Sequence, residues 1–192
     1  LSCGRRDEAT KPKVEEKFSM AWNIQNPDSS LKMREEIARD FPKSPEGFYC
    51  KAWLLDKMGN EKLALKIADS LVMGFPQFEK GFYLRANLRE KISDFPGAVE
   101  DYGKAIKRNP DFFEAFNNRG RLHFNSQHFD LALSDFEKAI QIRPNDKQAA
   151  FNLGNVQMAY GKPDLACKNW KKADSLGLAA ADSLVKKYCQ TK

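Results

Sequence analysis

Two histidines, His123 and His128, are the side chains best suited to proton transfer near neutral pH or to ligating a transition metal. They stand five residues apart, a spacing that does not put two helical side chains on one face. The carboxylate pairs Glu35–Glu36 and Glu100–Asp101 could share a proton or hold a cation, but they read as solvated helix faces. The cysteines, Cys3, Cys50, Cys167 and Cys189, are unevenly spaced. No H-E-x-x-H, C-x-x-C, G-x-S-x-G or phosphate-loop pattern occurs, so no catalytic residue, no metal ligand set and no cofactor is expected.

What remains is charge. The chain holds 32 basic and 26 acidic residues, a net +6. Its last 46 residues carry 8 basic against 3 acidic, so most of the excess lies at that end. Lys162, Lys168, Lys171, Lys172, Lys186 and Lys187 could form a basic patch there. It reads first as a solubilising end, and second as an attraction to an acidic partner or an anionic lipid. A protein that tracks phosphates would carry such charges along its whole binding surface, so nucleic acid is not expected as a partner. The 192 residues are 42% hydrophobic and 30% charged, which suits an ordinary folded protein and not a disordered tail. No run of about 18 apolar residues exists to span a bilayer.

The elements that must position any functional side chain follow from a period. Pro42, Pro76, Pro110 and Pro144 are each separated by 34 residues. Other columns keep the step: Ala64, Ala98, Ala132 and Ala166; Leu71, Ala105, Ala139 and Ala173; Ala52, Ala86, Gly120 and Gly154. The last column is small where two helices must approach. A bulky column, Ala68, Tyr102, Phe136 and Trp170, should fill the space beside it, and Phe48, Phe82, Phe116 and Ala150 form another. Within one period Phe116, Arg119, Gly120 and His123 recur at helical spacing, as do Leu133, Phe136, Ala139 and Ile140. Polar residues 125–129 separate them as a turn. Each period is therefore two antiparallel helices, with His123 on a core column. The remaining prolines, Pro12, Pro27, Pro45, Pro96 and Pro163, fall at helix starts, where a missing N–H breaks no intrahelical bond.

This grammar resembles the tetratricopeptide repeat. Phe116, Arg119-Gly120, Ala132, Phe136, Ala139 and Pro144 match the family pattern, with arginine in place of its leucine and His123 in place of its second aromatic. Leu153-Gly154, Ala166, Trp170 and Ala173 match again. The resemblance implies an all-α fold, a right-handed superhelical solenoid of about five helix-turn-helix repeats. They are placed at residues 11–44 (degenerate), 45–78, 79–112, 113–146 and 147–180, after a leader of residues 1–10 and before a capping helix and tail at 181–192. It also implies a non-catalytic interaction scaffold that holds a peptide or helix of a protein partner in a concave groove.

Carried over residue by residue, the groove would be lined by Tyr49, Trp53, Tyr83, Asn87, Asn117, Asn118, Arg121, Phe124, Phe151, Asn152 and Asn155. Aromatic area mixed with carboxamides can pair with both the N–H and the C=O of a peptide. The alternative is a solvated face in which these aromatics pack against adjacent first helices. One family subtype clamps a terminal carboxylate with two lysines, two asparagines and an arginine. Here the asparagines survive as Asn87 and Asn118, while Tyr83, Gln148 and Asn152 stand at the charged positions, so carboxylate capture by charge is not expected.

Leu1-Ser2-Cys3-Gly4 resembles the end of a bacterial lipoprotein signal, in which the cysteine becomes acylated. That resemblance implies lipidation of Cys3, a membrane contact made only through that lipid, and a place on the periplasmic side of the bacterial envelope, as an assembly or secretion factor. The alternative is a fortuitous cysteine on a soluble intracellular adaptor. Cys50, Cys167 and Cys189 are expected as small buried side chains and not as a disulfide.

Overall fold

Eleven helices and no strand make up the residues described by the computed structural model, which are 11–189. They are α1 (Lys11–Asn23), α2 (Pro27–Asp40), α3 (Pro45–Lys57), α4 (Glu61–Gly74), α5 (Glu79–Lys91), α6 (Phe95–Arg108), α7 (Phe113–Asn125), α8 (Phe129–Ile142), α9 (Lys147–Ala159), α10 (Pro163–Ser175) and α11 (Ala179–Tyr188). Pro27, Pro45 and Pro163 open their helices, and Pro42, Pro76, Pro110 and Pro144 lie in the connections. Side-chain caps reinforce several starts: Asn26 Oδ1 accepts from the Ser29 N–H, Ser44 Oγ from Gly47 and Asp146 Oδ1 from Ala149.

Four of these helices end in the same way. Gly59, Ser93, Gln127 and Gly161 have φ of 78°, 64°, 61° and 68°, and they recur at the 34-residue step. In each case the next residue's N–H reaches back to the last turn of the helix, as from Asn60 to the Leu55 carbonyl at 2.9 Å and from His128 to His123 at 2.8 Å. A left-handed residue there satisfies carbonyls that the helix end would otherwise orphan, and it reverses the chain tightly. Ser93 and Gln127 hold that conformation without being glycine, so Gln127→Gly is expected to be stability-neutral or to gain up to about 1 kcal/mol. Chemical denaturation checks this, and a loss greater than about 1 kcal/mol would mean that the glutamine side chain anchors the turn.

By packing, the chain forms two compact units, the first closing at Asp101 and the second opening at Tyr102. In the first, Phe18, Ile37, Tyr49, Ala52, Ala68 and Leu71 belong to one buried cluster. In the second, Ala132, Phe136, Leu153 and Val156 form one cluster, while Phe113, Phe116, Ala139 and Ala149 form another.

The small and bulky columns meet as their sizes require. A methyl group added at Gly120 would lie 3.0 Å from the Phe136 ring, and one at Gly154 would lie 2.6 Å from two atoms of the Trp170 indole. Gly154→Ala should therefore push Trp170 off the Asn155 side-chain carbonyl that its N–H now meets at 3.0 Å. We expect a net loss of about 1–3 kcal/mol from overpacking, even after the better helix propensity of alanine. Urea unfolding followed by tryptophan fluorescence tests this, and an unmoved midpoint would show that α10 yields freely.

The arginines at the family's leucine position are ion-pair partners. Arg119 makes a two-pronged bond to Asp135 (2.9 and 2.7 Å), sixteen residues on. One period earlier Arg85 does the same to Asp101 (2.7 and 2.7 Å) and also reaches Asp69 at 2.9 Å. Arg89 adds a second contact to Asp101 at 2.9 Å. Asp101 is fully buried and Asp135 is 4% exposed, so both carboxylates depend on these guanidiniums for solvation.

The cysteine expectation needs one correction. Cys50 is buried and free, as expected, but Cys167 and Cys189 form a disulfide with Cα atoms 5.5 Å apart. Gly177 (φ 82°) turns the chain sharply after α10, so α11 folds back and sets Cys189, just beyond its end, beside Cys167. Burial pushes the Cys50 thiol up to about 12, which leaves it protonated and unreactive.

Candidate functional site

The predicted site residues fall into two groups, one in each unit. In the first unit α3 supplies Tyr49 and Trp53, and α5 supplies Tyr83 and Asn87. Tyr49 is 3% exposed because α1 lies over it. The Phe18 ring meets Tyr49 edge-on at 5.1 Å, and Trp22 stands 5.7 Å from Tyr49 and 5.8 Å from Tyr83. The Lys80 ammonium caps this group at 5.1 Å from Phe18 and 5.0 Å from Trp22. Burial raises the Tyr49 hydroxyl well above its ordinary range, so it stays neutral. Trp53 is half-buried beneath the Arg34 guanidinium at 4.6 Å. Arg34 donates to Ser30 Oγ and to the Ala21 carbonyl, its buried Nη1 has no hydrogen-bond partner among the described residues, and its guanidinium carbon lies over the rings of Trp53 and Tyr49. The aromatic face of the first unit is thus covered by its own first helix pair.

Phe18, Trp22 and Arg34 were not among the predicted site residues, although a signal existed. Phe18 occupies the column that holds Ala52, Ala86, Gly120 and Gly154 in later periods. A phenylalanine is larger than any other residue of that column. With Trp22 four residues on, the rings of α1 go to α3 and α5.

The second unit is built differently. Asn117 of α7 and Asn152 of α9 are half-buried and joined, with Asn152 Nδ2 donating to Asn117 Oδ1 at 3.2 Å. Gln148 Nε2 donates in turn to Asn152 Oδ1 at 3.0 Å. The result is a row of three carboxamides with one sense. It leaves N–H groups at the Asn117 end and a carbonyl at the exposed Gln148 end that can meet a peptide main chain. Arg121 stands half-buried one helical turn along α7 from Asn117.

Other predicted residues there have structural duties. Asn118 donates to the hydroxyl of the fully buried Tyr102 at 3.3 Å, and Asn155 accepts from the Trp170 indole. Phe124 turns toward Phe129, 5.6 Å away, and joins the cluster of Phe136 and Val156. Phe151 is half-buried against Ala150, Ala173 and Ala181. Phe124 thus packs toward α8 and Phe151 toward α10 and α11, whereas the sequence alternative placed such aromatics against adjacent first helices.

The histidines come closer than their spacing implied. His128 ends the tight turn after α7, which brings its ring 6.1 Å from that of His123, roughly perpendicular. Burial lowers the His123 imidazole below its ordinary value. Among the described residues no group of three His, Cys, Asp or Glu side chains is placed to hold a metal. No described helix is long and apolar enough to cross a membrane. Cys3 lies outside the described residues.

Comparison with known proteins adds the lineage. The profile of the family described as Tetratricopeptide repeat matches residues 83–147 and 119–167. No curated protein matches the chain. Among solved structures, a crystal structure of MamA superposes with a TM-score of 0.65 at 19% identity, covering 95% of this chain and 99% of that one. A thermophilic TPR protein of Thermus thermophilus gives 0.66 at 19% identity, over 90% and 96%. MamA from Desulfovibrio magneticus, from residue 41 to its end, gives 0.63 at 17%, over 86% and 93%. The 34-residue columns and the paired helices agree with the matched profile: residues 83–167 are tetratricopeptide repeats, and the described residues have the all-α solenoid fold.

Proposed function

We propose that this protein is an interaction scaffold of the bacterial envelope, anchored through a lipid on Cys3, and that it holds a peptide or helix of a partner on the face shared by α7 and α9. The fold supports a scaffold for protein partners, as repeat proteins of this kind generally serve without catalysis. The observation that carries the choice of face is the carboxamide row Gln148–Asn152–Asn117. It can pair with a main chain, while the matching face of the first unit is covered by α1. The role we assign is in assembly or secretion.

The Cys167–Cys189 disulfide supports the address. Disulfides persist in oxidising compartments such as the bacterial periplasm and are rare where cellular thiols are kept reduced. A chain held outside the cytoplasm by a lipid would keep this bond.

Two measurements separate the parts of the reading. Asn117→Ala with Asn152→Ala should reduce capture of the native partner, identified by affinity purification from the host, by at least about tenfold at unchanged helical circular dichroism. Undiminished capture would move the site elsewhere. Mass spectrometry of the native protein should find acylated Cys3 as the first residue, and an unmodified Cys3 would remove the anchor without touching the binding face.

A further inference from the structure

The lysine-rich end of the second unit has no part in the carboxamide face. Between residues 162 and 189 there are six lysines against three aspartates. Lys168 and Lys171 are exposed on α10, and Lys186 and Lys187 are exposed at the end of α11. The Cys167–Cys189 bond ties these two stretches together, because Cys167 directly precedes Lys168 and Cys189 follows two residues after Lys187. Of the aspartates, Asp182 pairs with Lys186 at 2.7 Å, while Asp164 and Asp174 are the other two. Apolar area is set among the charges. Tyr188 is 48% exposed with its ring 5.9 Å from Trp170 and the Lys187 ammonium 4.9 Å over it, and Leu165, one turn before Lys168, is 45% exposed.

We propose that this disulfide-pinned end of α10 and α11 is a docking surface for an anionic phospholipid bilayer. The charges complement a layer of phosphate headgroups. A half-exposed tyrosine and a leucine beside lysines are what an interfacial surface offers, with a ring at headgroup depth and ammonium groups among the phosphates. Nucleic acid fits less well. The cations are lysines, which act as point charges without the flat two-pronged fork that arginine brings to phosphates, and one aromatic ring does not make a stacking platform. The surface is separate from the partner face and needs no acyl chain, so the proposal stands or falls independently of the Cys3 anchor.

The test uses the full chain produced without acylation and vesicles of phosphatidylcholine alone or with about one third phosphatidylglycerol, followed by co-sedimentation. Binding should favour the anionic vesicles by at least about tenfold at low salt and weaken as salt rises. Each lysine near an anionic surface adds about fivefold in partitioning. Lys168→Gln, Lys171→Gln, Lys186→Gln and Lys187→Gln together should therefore reduce binding by about a hundredfold or more. A control with Lys32→Gln, Lys51→Gln, Lys62→Gln and Lys66→Gln, all exposed in the first unit, should keep at least half of it. Circular dichroism confirms that both variants fold. Equal binding to neutral vesicles, retention by the first variant or an equal loss in the control would overturn the assignment. So would single-stranded DNA competing the protein off the vesicles at lower phosphate concentration than the lipid.

Discussion

Replacing Arg119 with methionine is expected to cost about 3–5 kcal/mol. Arg119 meets Asp135 through two charge-assisted bonds at 2.9 and 2.7 Å, and the Asp135 side chain is 5% exposed. Methionine conserves much of the packing volume but leaves the carboxylate buried without its cation. The penalty is then the desolvation of an unpaired charge, which exceeds the worth of the pair itself. That distinction has a signature. Arg119→Met with Asp135→Leu removes both charges and should recover most of the loss, because a buried ion pair replaced by apolar groups is often neutral or stabilising. Urea unfolding of both variants, with circular dichroism and tryptophan fluorescence recorded together because repeat arrays can unfold in parts, makes the comparison. A single variant that loses less than about 1 kcal/mol, or a double variant worse than the single, would show that the pair is not solvating Asp135 as described.

Breaking the Cys167–Cys189 bond should have a large consequence, confined to the end of the second unit. The bond closes a segment with a sequence separation of 22. Loop-closure entropy for a ring of that size corresponds to about 3 kcal/mol. Little else holds α11, which buries chiefly Ala181 against Ala150 and Ala173. Cys167→Ser with Cys189→Ser should leave the helices from α1 to α9 protected from hydrogen exchange, while amides of residues 179–189 exchange at least about a hundredfold faster. A dithiol reductant should give the same pattern in the unsubstituted chain, since Cys50 is buried and unpaired. Unchanged protection at 179–189 would mean that the Ala181 contacts and the tilted Trp170–Tyr188 ring contact hold α11 without the covalent link.

The fold was legible because its constraints are local and repeated. A proline every 34 residues marks where a helix cannot continue, and an alanine or glycine column marks where helix axes approach. The structure places Gly120 against Phe136 and Gly154 against Trp170, as side-chain volume alone requires. The left-handed turn column was less visible, because serine and glutamine stand at two of its four positions and conceal a conformation normally marked by glycine. The disulfide was hidden for a different reason. Cys167 and Cys189 do not share a column, and only the early start of α11 after Gly177 brings them together.

The candidate site was legible only in part. The family resemblance named Asn117 and Asn152 but could not show that one amide donates to the other, or that Asn118 and Asn155 turn instead to Tyr102 and Trp170. In the first unit a face inferred from α3 and α5 alone could not reveal its cover. Phe18 and Trp22 belong to the most degenerate period, where the column pattern carries least information.

The arginine–aspartate pairs also bear on how such an array can be recombined. Arg119 and Asp135 sit in the two helices of one hairpin, so that hairpin carries its cation and anion as a self-sufficient cassette. Arg85 draws on Asp101 within its own hairpin and also on Asp69 in the hairpin before it. A chimera joined between residues 112 and 113 keeps every one of these charges matched, whereas one joined between α7 and α8 strands Asp135. Duplication of the α7–α8 hairpin therefore carries the Arg119–Asp135 pair along intact, and drift toward leucine at position 119 is expected to be tolerated where the aspartate is lost in the same step.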